Sequence, residues 1–92
     1  MIYLEQYYPG EEDWILFSDL YRNIPDSAIA NKLESIFKDR SVAIVIAGIL
    51  GNSSLEWINK KIPALDNLRP VDCVDDPKLQ KRLRTMLMRM DL

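Results

Sequence analysis

The run Ser41-Val42-Ala43-Ile44-Val45-Ile46-Ala47-Gly48-Ile49-Leu50 decides the fold class. Its β-branched content favours a strand. Ser41 as a cap and Gly51 as a stop favour a short buried helix. A strand needs a partner, and no second segment reads as one. The run is therefore predicted to be a helix. The fold follows as all-α, a small single-domain helical bundle of about five short helices.

Upstream, Trp14, Phe17, Leu20, Tyr21 and Ile24 recur at helical steps and predict one face of a helix of about three turns. Pro25 ends it, because proline disfavours helical geometry in the residue before it. Asp26 or Ser27 is placed to cap the next helix, whose apolar face is Ile29, Leu33, Ile36 and Phe37. Ahead of all this, residues 1–13 carry Glu5, Glu11, Glu12 and Asp13, three tyrosines and no base. Pro9-Gly10 marks a turn, so this segment reads as an arm or short extended piece. Residues 1–27 form an acidic arm and first helix, and residues 28–92 form the main helical domain, in one compact body overall.

Downstream, Ser53-Ser54-Leu55-Glu56 reads as a capping box, opening a helix through Trp57 and Ile58 that ends near Lys61. Pro63-Ala64-Leu65 lies in a loop, and Pro70 opens a short turn through Val71 and Val74. Asp76-Pro77 then supplies an acidic cap and a proline at the first helical position. The last helix carries the stripe Leu79, Leu83, Met86, Leu87 and Met90, flanked by Lys78, Lys81, Arg82, Arg84 and Arg89. Met88 points off the stripe, where a flexible, polarizable side chain suits an adaptable contact.

Composition narrows the function. The 92 residues fit one domain, and the chain contains no histidine, the commonest general base and metal ligand. Cys73 is its single cysteine, so it reads as a small core hydrophobe. No glycine-rich phosphate loop is present. Asp72, Asp75 and Asp76 lack the glycine and terminal glutamate of a calcium loop, and two of them have capping work. The expectation is a binding protein, not an enzyme, with no cofactor and no metal. The longest apolar run, residues 42–50, is far too short to span a membrane. With no basic segment leading into an apolar run at the N-terminus, a cytoplasmic location is expected. Charge is uneven: residues 1–76 hold 13 acids and 7 bases, a balance of −6, and residues 77–92 hold 5 bases and 1 acid, a balance of +4. A basic last helix on an acidic body is a usable asymmetry.

From Ile44 onward, an apolar helix leads to Trp57-Ile58, then Pro63-Ala64-Leu65, then Pro70-Val71-Asp72 and Val74-Asp75-Asp76, and a final helix with Leu83, Leu87 and Met90. That ordered set resembles the toxin-binding domain of Xre/MbcA/ParS-type antitoxins. It covers about half of the chain, or two thirds if residues 28–38 are included. Members of that family pair with toxins of the RES type, which consume or transfer from NAD, and their C-terminal region obstructs the toxin's active-site pocket. The resemblance implies an antitoxin of a bacterial toxin–antitoxin system, an inhibitor that occludes a partner enzyme. It also implies self-association into a homo-oligomer. The toxin-binding residues expected are Arg84, Met88, Arg89, Asp91 and Leu92, with Trp57, Pro63, Leu65 and Pro70 holding the shape that presents them.

The chain departs from the family in two places. Its first 43 residues are short and acidic for a helix-turn-helix, so DNA binding by this chain is not expected. The glycine that usually follows the final helix is missing. Two further readings stand beside the antitoxin. One is a DNA-binding regulator using the basic last helix. The other is an immunity or adaptor protein for a different enzyme, whose acidic, tyrosine-bearing N-terminus meets a basic active site.

Overall fold

The decisive run is helical: α3 spans Arg40–Leu50 in the computed structural model, which describes residues 4–23 and 27–90. Val42, Ala43, Val45, Ile46 and Ala47 are all buried, so α3 is covered around most of its circumference. That burial explains why its apolar residues run on without helical alternation. Its cap is Asp39, not Ser41. The Asp39 carboxylate accepts from the Ser41 amide at 2.9 Å and from the Val42 amide at 3.4 Å, and Ser41 donates its hydroxyl to the same oxygen at 2.6 Å. Gly51 ends the helix at φ +53°, a left-handed conformation that favours glycine.

The other α-helices arrange themselves around α3. Helix α2 (Ser27–Phe37) packs on it across the short link Lys38-Asp39. Ala30, Leu33 and Phe37 are the buried residues of α2, and Ile29 is half-buried. Ile36, expected on the apolar face, is exposed, and the smaller Ala30 takes the inner position. Helix α1 (Glu11–Asp19) buries Trp14 and Ser18, with Phe17 and Tyr21 partly covered. Leu20 was expected on this face and is 76% exposed. At 100° per residue it lies about 120° around the helix from Trp14, outside the stripe that meets α3. Tyr21 lies over Gly48, whose missing side chain makes room for the ring. Ile24, Pro25 and Asp26, read as a helix end and a cap, lie outside the described residues, as does the Ser27 side chain.

After α3, a 3-10 turn (Gly51–Ser53) leads into the single turn α4 (Ser54–Trp57). The expected capping box is absent, because Ser53 makes no side-chain cap bond. Ser54 instead donates to the carbonyls of Gly51 at 2.7 Å and Ile46 at 3.3 Å, tying the turn to α3. Helix α4 is shorter than the sequence predicted, and hydrogen-bonded turns carry the chain on to Lys60. Ile62 and Leu68 then form an antiparallel bridge around the 3-10 turn Pro63–Leu65. Asp66 and Asn67 close it with φ of +61° and +63°, tolerable for short polar side chains. A further 3-10 turn, Pro70–Cys73, leads to α5 (Pro77–Arg89). Asp76 caps α5 through the Lys78 amide at 2.9 Å, and Pro77 stands at its first position, as the sequence predicted. Among the described residues there is no strand beyond the single bridge, so the protein is a small all-α bundle.

Candidate partner-binding surface on the last helix

Helix α5 buries Leu83, Met86 and Leu87, with Leu79 and Met90 partly covered, so its predicted stripe faces the core. Two of its cations turn inward as well. Arg82 meets Glu5 through two hydrogen bonds, 2.8 and 3.0 Å, and both side chains are only 8% exposed. The Arg82 guanidinium holds the Glu5 carboxyl below the usual carboxylate range, and Glu5 in turn raises the arginine pKa. Glu5 lies on a 3-10 turn, Leu4–Tyr7, that packs along α5. Residues 4–7 are therefore a docked segment with their own helical turn, not an extended piece.

Arg84 is the hub of a second network and is 12% exposed. One terminal nitrogen donates to the Tyr8 hydroxyl at 2.9 Å and to the Glu11 carboxylate at 2.8 and 2.9 Å. The other donates to Asp39 at 2.6 Å. Its plane lies over the Trp14 ring, 5.0 Å from the centroid, close enough for a cation–π contact. Trp14 donates its indole N–H to the Ser41 hydroxyl at 2.8 Å, and Ser41 donates to Asp39. The chain of contacts thus runs from the N-terminal segment through α5 to the cap of α3. Burial opposes the Asp39 charge, but hydrogen bonds from Ser41 and Arg84 outweigh it and keep the carboxyl below its ordinary pKa. Burial also opposes the Arg84 charge and is overcome by Tyr8, Asp39 and Glu11, so its pKa is raised. Tyr8 is shifted upward, chiefly by burial.

Of the expected toxin-binding residues, Arg84 is engaged inside the fold, Met88 is half-buried, and Arg89 is exposed. Asp91 and Leu92 lie outside the described residues. Arg89 stacks over Tyr7 with its guanidinium carbon 4.8 Å from the ring centroid, and Tyr7 is 47% exposed. The outward end of α5 is therefore a joint surface, with Tyr7 contributed from the other end of the chain. The segment expected to present this surface is well anchored. Ile58 and Leu65 are fully buried, Pro70 is buried, and Trp57 is half-buried beside the core. Pro63 is exposed, at the start of its 3-10 turn. The Val71 amide donates to the Ile58 carbonyl at 3.1 Å, and the Ile62 amide donates to the Leu68 carbonyl at 3.0 Å. The first bond joins the Trp57-Ile58 stretch to Pro70-Val71, and the second closes the loop carrying Pro63-Ala64-Leu65 between them, a frame whose two 3-10 turns pack on α5.

Cys73 is buried, and desolvation pushes its thiol up to about 11. Such a thiol is almost wholly protonated at neutral pH and is a poor nucleophile. Asp72 reaches back to the Arg69 amide at 3.2 Å and pairs with its guanidinium at 3.0 Å, so it caps the turn that holds Pro70. Among the described residues, no group of three or more Cys, Asp or Glu is placed to hold a metal ion. No described helix is long and apolar enough to cross a membrane. Glu5, Tyr8 and Asp39 are partners of α5 that no motif spacing marks; the acidic residues near the start of the chain against the basic last helix are the one signal, and it points only to Glu5 and Glu11. No family model, curated protein or solved structure matches the chain.

Proposed function

We propose that this protein neutralises a partner enzyme by binding it, the antitoxin role implied by the resemblance of its C-terminal half. The partner class is a RES-type, NAD-consuming toxin, and the contact is the outward end of α5. The observation that carries the reading is the closed frame beneath that helix. In it the Val71 amide bonds the Ile58 carbonyl, the Ile62–Leu68 bridge closes the loop carrying Pro63-Ala64-Leu65 between them, and Ile58, Leu65 and Pro70 are buried. A frame of this kind fixes the direction in which α5 points, and preorganisation of that sort reduces the ordering cost of binding. Met88 and Arg89, with Tyr7 beside them, then form the edge that meets the partner. Arginine, methionine and tyrosine are favoured in the cores of interfaces. Arg84 takes a different role in this reading: it positions α5 against the N-terminal segment.

The test pairs inhibition with stability. Purified protein is titrated into a RES-type enzyme, with the product of the neighbouring gene tried first, while NAD consumption is followed. Inhibition that saturates at a fixed stoichiometry is expected. Deletion of residues 88–92 is expected to abolish inhibition while leaving a cooperative melt, because Leu79, Leu83, Met86 and Leu87 all remain. Full-length protein that neither inhibits nor binds the enzyme overturns the function. Full inhibition by the truncated protein overturns the location.

A further inference from the structure

Exposed large apolar side chains concentrate on one element. Ile15 is 52% exposed, Leu16 63% and Leu20 76%, all on α1 or the residue that caps it. Leu16 and Leu20 are i, i+4 neighbours and so share one surface, with Ile15 at its edge. The opposite face of α1 is rigidly held. Trp14 is fully buried and bonded to Ser41, Phe17 packs against both Trp14 and Tyr21, and Glu11 is held by Arg84. The leucines therefore stand on a fixed helix, so rotation of α1 does not offer them another place.

The charges on α1 itself have one sign. Glu12, Asp13 and Asp19 stand exposed on the same helix, and α1 carries no base. Glu12 and Asp13 suit the helix dipole in the first turn, but Asp19 sits at the unfavourable end. Asp19 pairs with Arg22, just beyond the helix, but the two side chains are 44% and 70% exposed and the pair contributes little. A second copy meeting this face through its own α1 would set acids against acids. The leucine face also offers roughly a few hundred Å², against about 800 Å² per partner in a standard stable interface. Both observations favour a single short element of opposite charge over another folded copy.

We propose that the outward face of α1 docks a cationic amphipathic helix of a protein partner, with Leu16 and Leu20 as the apolar contact and Glu12, Asp13 and Asp19 facing its bases. This surface is separate from the α5 edge and stands whether or not the partner of α5 is a toxin. The probe is a synthetic helix with leucines at i and i+4 and lysines elsewhere. Its binding to the full chain is followed by fluorescence anisotropy, beside the same helix with glutamates replacing the lysines. The lysine helix is expected to bind and the glutamate helix not. Leu16→Ser and Leu20→Ser should each weaken binding by about tenfold or more, the scale of burying one leucine, with melting curves unchanged because both side chains are exposed. Three results overturn the proposal: no binding of the lysine helix, binding that ignores both serine substitutions, or a Leu16-dependent dimer in sedimentation that occupies the face.

Discussion

Replacing Arg84 separates two roles that the sequence left merged, partner contact and internal clamp. In Arg84→Ala three kinds of interaction disappear. The bond to Asp39 is charge-assisted and partly buried, a class worth about 1.5–3 kcal/mol. The contacts with the Tyr8 hydroxyl and the Trp14 ring add about 0.5–1.5 kcal/mol each. Glu11 is 68% exposed, so its pair with Arg84 contributes about 0–1 kcal/mol. One term opposes these: the Arg84 Nε is buried without a partner among the described residues, and removing it relieves a penalty of about 1–3 kcal/mol. The net expectation is a loss of about 3 kcal/mol, or roughly 12–24 °C in Tm for a domain of this size. The assay is a thermal melt followed by circular dichroism, beside a melt of Arg84→Met, which keeps the packing stem and should recover part of the loss. The acid side of the stability curve should change too. The Asp39 pKa is lower folded than unfolded, so its share of stability is present above the unfolded value and fades as pH falls through the folded one. Without Arg84 that share shrinks, and the acid limb becomes shallower. A variant that melts like the parent but loses its partner would refute the clamp and return Arg84 to the contact surface.

Cys73 predicts an alkaline limb. Its folded pKa, about 11, lies above the ordinary thiol value of 9.0, so its share of stability is intact below pH 9 and is lost as pH rises towards 11. Urea titrations across that range should show the parent losing about 2–3 kcal/mol and Cys73→Val losing less; parallel curves for the two would refute the assignment. Leu65→Ala, at a fully buried position in the frame beneath α5, should cost about 2–5 kcal/mol in the same urea titration, and a cost below 1 kcal/mol would show that the frame is not part of the core. Gly48→Ala sets a methyl group against the Tyr21 ring and should destabilise by about 1–3 kcal/mol, with partial rescue when Tyr21→Ala is added. A Gly48→Ala protein as stable as the parent would show that α1 shifts on α3 at no cost.

The fold was legible where local signals agreed and blurred where long-range contacts chose between them. The decisive run has a composition that favours a strand, and it reads as a helix from its flanking cap and stop residues together with the lack of a partner strand. Burial around most of its circumference accounts for that composition, since an element so covered needs no wide polar stripe. Asp76-Pro77 was legible because a cap and its following proline act within one turn. Ser53 was misleading for a related reason. Its neighbour Ser54 finds the Ile46 and Gly51 carbonyls, and the contact with Ile46, eight residues back on α3, is one that a local capping motif does not encode. Leu20 and Ile36 satisfied the apolar period and still face outward, since period fixes which residues share a face but not how wide the covering neighbour is. The candidate site was harder to read. Basic residues on α5 looked like a surface for a partner, and two of the five are neutralised within the chain by Glu5, Glu11 and Asp39. The balance of −6 against +4 recorded that pairing from the start, but a sum carries no geometry. Only the folded positions separate Arg82 and Arg84, which hold the N-terminal segment, from Lys78, Lys81 and Arg89, which stay exposed, Arg89 beside Tyr7.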